Sequence, residues 1–138
     1  MDGTVSDNSA DFAGGIFNYD TGTITINGTV SGNTATTSTG GIHNQNGILI
    51  VNGEVSGNTA NSFGGGISNI GTGTLSFGPD NLIEDNTADA DDVGGETGGG
   101  IYNWGTINTP PLPDYGTGNW TGTAAPVLDN CDGPGGCP

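Results

Sequence analysis

The sequence predicts an all-β chain wound as a parallel β-helix, a solenoid of about four coils with roughly 25 residues per coil. Three observations carry the prediction. A phrase recurs: "GTVSGNTATTSTGGIHN" from Gly28 returns as "GEVSGNTANSFGGGISN" from Gly53, and fixed periods between 20 and 50 residues are the signature of stacked repeats. Apolar residues fall in short spots such as "TITI", with no sustained 3.6-residue stripe. Hydrophobic residues make up only 30% of the 138, which is low for a globule but enough for a thin stacked interior.

Each element follows from a slot in the repeat. Copies begin at Gly3, Gly28, Gly53 and Asn81. Val5, Val30, Val55 and Ile83 form one inward column, and Ala10, Ala35, Ala60 and Ala88 another. Next come Ile16, Ile42, Ile67 and Ile101, then Ile24, Leu49, Leu75 and Ile107. Three apolar spots per repeat predict a three-sided coil, each strand pairing with its equivalent about 4.8 Å along the axis. Two corners carry asparagine: Asn8, Asn33, Asn58 and Asn86 at one, Asn18, Asn44, Asn69 and Asn103 at the other. Asn tolerates the left-handed backbone of sharp turns, and stacked carboxamides form hydrogen-bonded ladders. The doublets Gly14-Gly15, Gly40-Gly41, Gly65-Gly66 and Gly99-Gly100 supply unusual backbone angles or close approach.

The β-helix is expected over 3–109. The remaining 110–138 form a Pro/Gly-rich tail or cap, because Pro110, Pro111 and Pro113 lack the N–H that a ladder needs. Leu112, Tyr115 or Trp120 are the candidate plugs for the end of the solenoid. Cys131 and Cys137, in "CDGPGGC", are placed for a small disulfide loop, which points to an oxidising compartment.

The pairing of "GNTA" with a following "GGI-x-N" resembles the repeats of bacterial right-handed parallel β-helix proteins. Polymorphic outer-membrane proteins and other adhesin-like secreted proteins carry such repeats. The resemblance covers residues 3–108 and implies a right-handed solenoid with a surface, adhesive or structural role.

Composition narrows the function. The chain has no Lys or Arg, 15 acidic residues and a formal net charge of −15. Nucleic-acid binding needs cations to neutralise phosphate, so that class is excluded, and anionic membrane surfaces are disfavoured. No signal peptide or membrane-spanning run is visible. Lyases that use a cationic base on a β-helix are excluded by the same composition. Asp7 and Asp85 share a slot, as do Asp11 and Asp89, but at three coil steps each pair is about 14 Å apart, too far for a hydrolytic pair. His43 shares a slot with Phe17, Ser68 and Tyr102, and that variability marks an outward surface position. No enzymatic activity is expected.

Several binding features remain. Asp85, Asp89, Asp91 and Asp92 lie in "EDNTADADDVGGE", whose oxygens suit Ca²⁺, although the D-x-D-x-D-G order is missing; a solvated acidic insertion is the stronger expectation. Asp7, Asp11, Asp85 and Asp89 sit in the first and last coils, where they guard or bridge end-to-end contacts between copies. Ile48 and Ile50 interrupt a Thr-rich outward face and suit lateral packing, while the Thr-rich face itself raises ice binding as an alternative. Tyr102, Trp104, Tyr115 and Trp120 suit stacking on surface glycans or packing under the tail. Asn27 and Asn119 head N-x-T sequons. Together these features predict an extracellular structural or adhesive solenoid, with self-assembly into filaments as one mode and a monomeric adhesin fragment as another.

Overall fold

The computed structural model describes residues 1–94, 97–122, 127–128, 130–137, with the side chains of 127–128 outside that description. The chain is a parallel β-solenoid of about five turns, roughly 26 residues per turn, with no helix among the described residues. The first sheet stacks β1 (Thr4–Ser6), β5 (Thr29–Ser31), β9 (Glu54–Ser56) and β13 (Leu82–Glu84). The second stacks β2 (Ser9–Ala10), β6 (Thr34–Ala35), β10 (Thr59–Ala60), β14 (Thr87–Ala88), β17 (Trp120–Thr121) and β18 (Val127–Leu128). The third holds β3 (Ile16–Tyr19), β7 (Ile42–Gln45), β11 (Ile67–Ile70), β15 (Ile101–Asn103) and β19 (Cys131–Asp132). The fourth holds β4 (Thr23–Ile26), β8 (Ile48–Val51), β12 (Thr74–Phe77) and β16 (Thr106–Asn108).

Four sheets replace the three sides expected, and the reason is a corner. Asp7, Gly32, Gly57 and Asp85 all adopt left-handed φ, at 57°, 63°, 61° and 55°. Only Gly and small polar residues such as Asp visit that region readily. The bend splits the first side into two short strands that run on different sheets. It also explains why the slot holds only Asp or Gly.

Register confirms the columns. Val5 pairs with Val30, Val30 with Val55, and Ile83 with Val55. The interior members Val30, Val55, Ile83, Ile42, Ile67, Ile101, Leu49 and Leu75 are fully buried, while Val5, Ile16 and Ile24 at the N-terminal end are only partly covered. Each fully buried aliphatic side chain contributes about 1.5–3 kcal/mol. The glycine doublets serve close approach rather than unusual angles: a Cβ on Gly41 would lie 2.4 Å from the Gly66 carbonyl oxygen.

Both asparagine ladders form. At the first corner each Nδ2 donates to the next Oδ1: Asn8 to Asn33, Asn33 to Asn58 and Asn58 to Asn86, each at 2.9 Å. The same oxygens accept backbone N–H groups, as Asn58 Oδ1 does from Asn33 at 3.0 Å. The second ladder runs Asn18, Asn44, Asn69, Asn103 at 2.7–2.8 Å. Interior rungs are fully buried, so satisfying every amide is what makes them tolerable.

The tail winds a fifth coil instead of simply folding across the fourth. β17 pairs parallel with β14 and β19 pairs parallel with β15, so Cys131 stands in the Ile101 column. Asn119 and Asn130 extend the first ladder, with Asn86 donating to Asn119 at 2.8 Å and Asn119 to Asn130 at 3.2 Å. Of the expected plugs, Tyr115 packs against the core, Trp120 joins a strand, and Leu112 is exposed. The Cys131–Cys137 disulfide closes a loop whose Gly136 carbonyl caps the second ladder, accepting from Asn103 at 2.7 Å. β18 then pairs antiparallel with β17 and ends the second sheet.

Candidate binding surface on the third sheet

Strand alternation sends Ile16, Ile42, Ile67 and Ile101 inward on the third sheet and leaves the next residues facing out. Register lines up Phe17, His43, Ser68, Tyr102 and Asp132 in one outward column. A second outward column begins at Tyr19, Gln45 and Ile70, with Trp104 following β15 beside Ile70. The loops entering the sheet add Phe12 and Phe63. Six of the nine aromatic residues (four Phe, three Tyr, two Trp in all) thus gather on one face.

The rings form two clusters. Near the N-terminal end Phe12 meets Phe17 edge-on at 5.6 Å, and Phe17 meets Tyr19 at 5.8 Å. Toward the C-terminal end Phe63 stacks on Tyr102 at 4.5 Å and 20°, and Tyr102 stands 6.4 Å from Trp104. Ile70, Gly71, Tyr102 and Trp104 line a shallow cleft of about 310 Å³. Exposure is high for this residue class: 61% for Tyr19, 56% for Trp104 and 49% for Phe17.

Between the clusters the face is polar and low. His43 faces outward as expected, yet it is buried, because Phe12 and Phe17 cover it with ring centroids 4.6 and 5.3 Å away. That burial lowers its pKa to about 4, so the ring is neutral above that pH. Thr39 Oγ1 pairs with Nδ1 at 2.8 Å, whereas Nε2 and the adjacent Ser68 Oγ have no hydrogen-bond partner among the described residues. A nucleophilic serine needs a hydrogen bond to its base and an open path to substrate. This pair has neither.

The other candidates are dispersed. Asp85 accepts a hydrogen bond from Thr117 Oγ1 at 2.8 Å, Asp91 accepts from the Val93 amide, and Asp89 and Asp92 occupy left-handed positions. Among the described residues no group of three or more His, Cys, Asp or Glu side chains stands close enough to hold a metal; Glu96 lies outside those residues. Asp89 does not share the Asp11 slot. Ala90, not Asp89, donates its amide to Ala60, as Asn61 does to Ala35, so Asp89 is an inserted residue. Asp85 is not terminal either, since its amide donates to Gly118 of the fifth coil. Asp7 and Asp11 remain on the first coil, where Asp11 accepts from Thr36. Ile48 is exposed and Ile50 half-buried on the fourth sheet. Asn119 is wholly buried in the ladder, while Asn27 is exposed.

Comparison with protein-family models, curated proteins and solved structures yields no match. No helix among the described residues is long and apolar enough to cross a membrane.

Proposed function

We propose that the chain is an extracellular, non-enzymatic adhesive or structural β-solenoid whose working surface is the outward face of the third sheet. The adhesin-like "GNTA…GGI-x-N" repeats give the class, and the exposed aromatic clusters carry the reading. Clustered exposed apolar side chains mark interaction sites, and Trp and Tyr are the side chains that dominate such contacts. The disulfide loop and the absence of Lys and Arg suit life outside the cell. Attachment of the purified, fluorescently labelled protein to cell-wall and extracellular-matrix preparations tests it. Retention that falls in a Phe17→Ser/Trp104→Ser double variant supports the reading; equal retention of both proteins, or turnover of the bound polymer, overturns it.

A second reading is end-to-end association, favoured by one observation: β4 and β16 are the end strands of the fourth sheet. A copy docking its β4 on β16 continues the Ile24, Leu49, Leu75, Ile107 column, and such a heterologous contact propagates. A cleft of about 200 Å³ lined by Ile107, Thr109 and Gly135 lies at that end. Against it, β18 and the disulfide loop cover the second sheet and second ladder. Negative-stain imaging of the pure protein decides: uniform filaments support this reading, and dispersed particles at high concentration and high salt remove it.

A further inference from the structure

We infer that the aromatic face of the third sheet binds a neutral polysaccharide chain lying parallel to the solenoid axis, with one sugar ring on Trp104 and Tyr102. This inference rests on the adhesive reading and names its ligand. Four observations converge on that chemistry. The exposed surfaces are flat rings, and each stands among hydrogen-bonding neighbours: Gln45 beside Tyr19, and Asp132 beside Tyr102 in register. A pyranose has the matching character, with apolar C–H faces and hydroxyls around its edge.

Length is the second. The Phe17 and Tyr102 clusters lie in one column, three coil steps and therefore about 14 Å apart. A single small molecule does not span both, whereas an extended polymer does. Charge is the third. With no Lys or Arg and a net charge of −15, the surface repels acidic polymers, and carboxylates such as Asp132 accept hydrogen bonds from the hydroxyls of neutral ones.

The fourth lies between the clusters. Ser68 Oγ and His43 Nε2, on side chains 98% and 97% buried, have no hydrogen-bond partner among the described residues. Buried polar atoms in native proteins nearly always have one. Phe12 and Phe17 flank the His43 ring and Phe63 stacks on Tyr102 beyond Ser68 in the same column, so the unpartnered atoms lie between the two aromatic clusters, where a bound hydroxyl would meet them.

Affinity electrophoresis through gels holding soluble neutral polysaccharides (hydroxyethylcellulose, galactomannan, xyloglucan), with polygalacturonate as the anionic control, tests the inference. Retardation by at least one neutral polymer and none by polygalacturonate is expected. Trp104→Ala should weaken it about tenfold, as loss of a central aromatic anchor does, and Ser68→Ala by a smaller factor. Thr23→Ser, on the fourth sheet, should leave it unchanged, and circular dichroism shows whether each variant is folded. Free mobility in every neutral gel overturns the inference. So does binding of poly-lysine alone when Trp104→Ala abolishes it, since the occupant is then a basic partner. In that second case, or where surface attachment needs Phe17 and Trp104 but no neutral oligosaccharide competes, the adhesive reading survives and the glycan does not.

Discussion

Replacing Asn58 by alanine removes the middle rung of the first ladder and isolates what that column is worth. Asn58 Oδ1 accepts from the Asn33 amide at 3.0 Å and from Asn33 Nδ2 at 2.9 Å, while Asn58 Nδ2 donates to the Val30 carbonyl at 3.0 Å and to Asn86 Oδ1. The substitution therefore orphans one buried donor, the Asn33 backbone N–H, while Asn33 Nδ2 keeps the Val5 and Ser31 carbonyls as acceptors. That orphan costs about 1–3 kcal/mol and the lost bond from Asn33 Nδ2 about 1 kcal/mol more, so the loss is about 2–4 kcal/mol. A chain of this length has a total stability of roughly 7–20 kcal/mol, so the variant should fold with a much lower urea midpoint. Asn8→Ala is the matched control. Asn8 is exposed on the first coil and only donates to Asn33 Oδ1, which still receives the Asn8 backbone amide; its loss should cost less than about 1 kcal/mol. Urea unfolding followed by circular dichroism, with the disulfide intact and m compared between variants, gives both numbers. Equal destabilisation by the two substitutions would refute the claim that buried carboxamide satisfaction holds the coils in register.

Four further outcomes follow from the same geometry. Folded His43 has its pKa lowered to about 4 from the usual 6.5, so the stability it contributes is whole above pH 6.5 and is lost as pH falls through that value toward 4. The unfolding free energy of His43→Gln relative to the parent should therefore improve by up to about 3 kcal/mol between pH 7 and pH 4, and parallel pH profiles would count against burial of a neutral ring. Gly41→Ala brings a Cβ to 2.4 Å from a backbone oxygen and should cost more than about 2 kcal/mol. Gly57→Asn, at φ 61° with a Cβ meeting only the Gly32 amide nitrogen at 3.9 Å, should be nearly neutral by thermal denaturation. In a glycosylating host, Asn27 should be modified and Asn119 left bare once folded, because Asn119 is buried with its Nδ2 donating to Ile83 and Asn130; glycopeptide mass spectrometry reads this directly.

The columns were legible because an inward slot tolerates few residues. Val5, Val30, Val55 and Ile83 announce themselves at any period search, and the Asn corners do so more strongly, since no other side chain both donates and accepts at the next coil's spacing. The fifth coil was not legible for the opposite reason. Its ladder residue is Asn119, but the strand after it reads Trp120-Thr121 where the others read Thr-Ala or Ser-Ala, and the insertion with Pro110, Pro111 and Pro113 hides the period. "NWT" in place of "NTA" was the available signal. Three sides became four sheets because Asp7 and Asp85 looked like acids and not like left-handed corner residues. The aromatic face was half visible: Phe17 and Tyr102 share a readable outward slot, whereas Phe12 and Phe63 come from loops that obey no period, and only they bury His43 and stack on Tyr102.

A solenoid of this kind separates what holds it together from what it presents. Inward slots hold apolar side chains and ladder corners hold Asn, so both are committed to packing and to the ladders. The left-handed corner accepts Asp or Gly, which scatters carboxylates by whole coils: Asp7 and Asp85 are three steps apart, about 14 Å, and cannot cooperate on one bond. What remains variable is the outward side of each strand and the loops between sheets. On the fourth sheet those positions hold mostly Thr, Ser and Ile, and on the third they include Phe17, Tyr19 and Tyr102. A surface that repeats at the strand spacing favours ligands that repeat as well, so the stacking that aligns these rings favours extended, multi-ring contact.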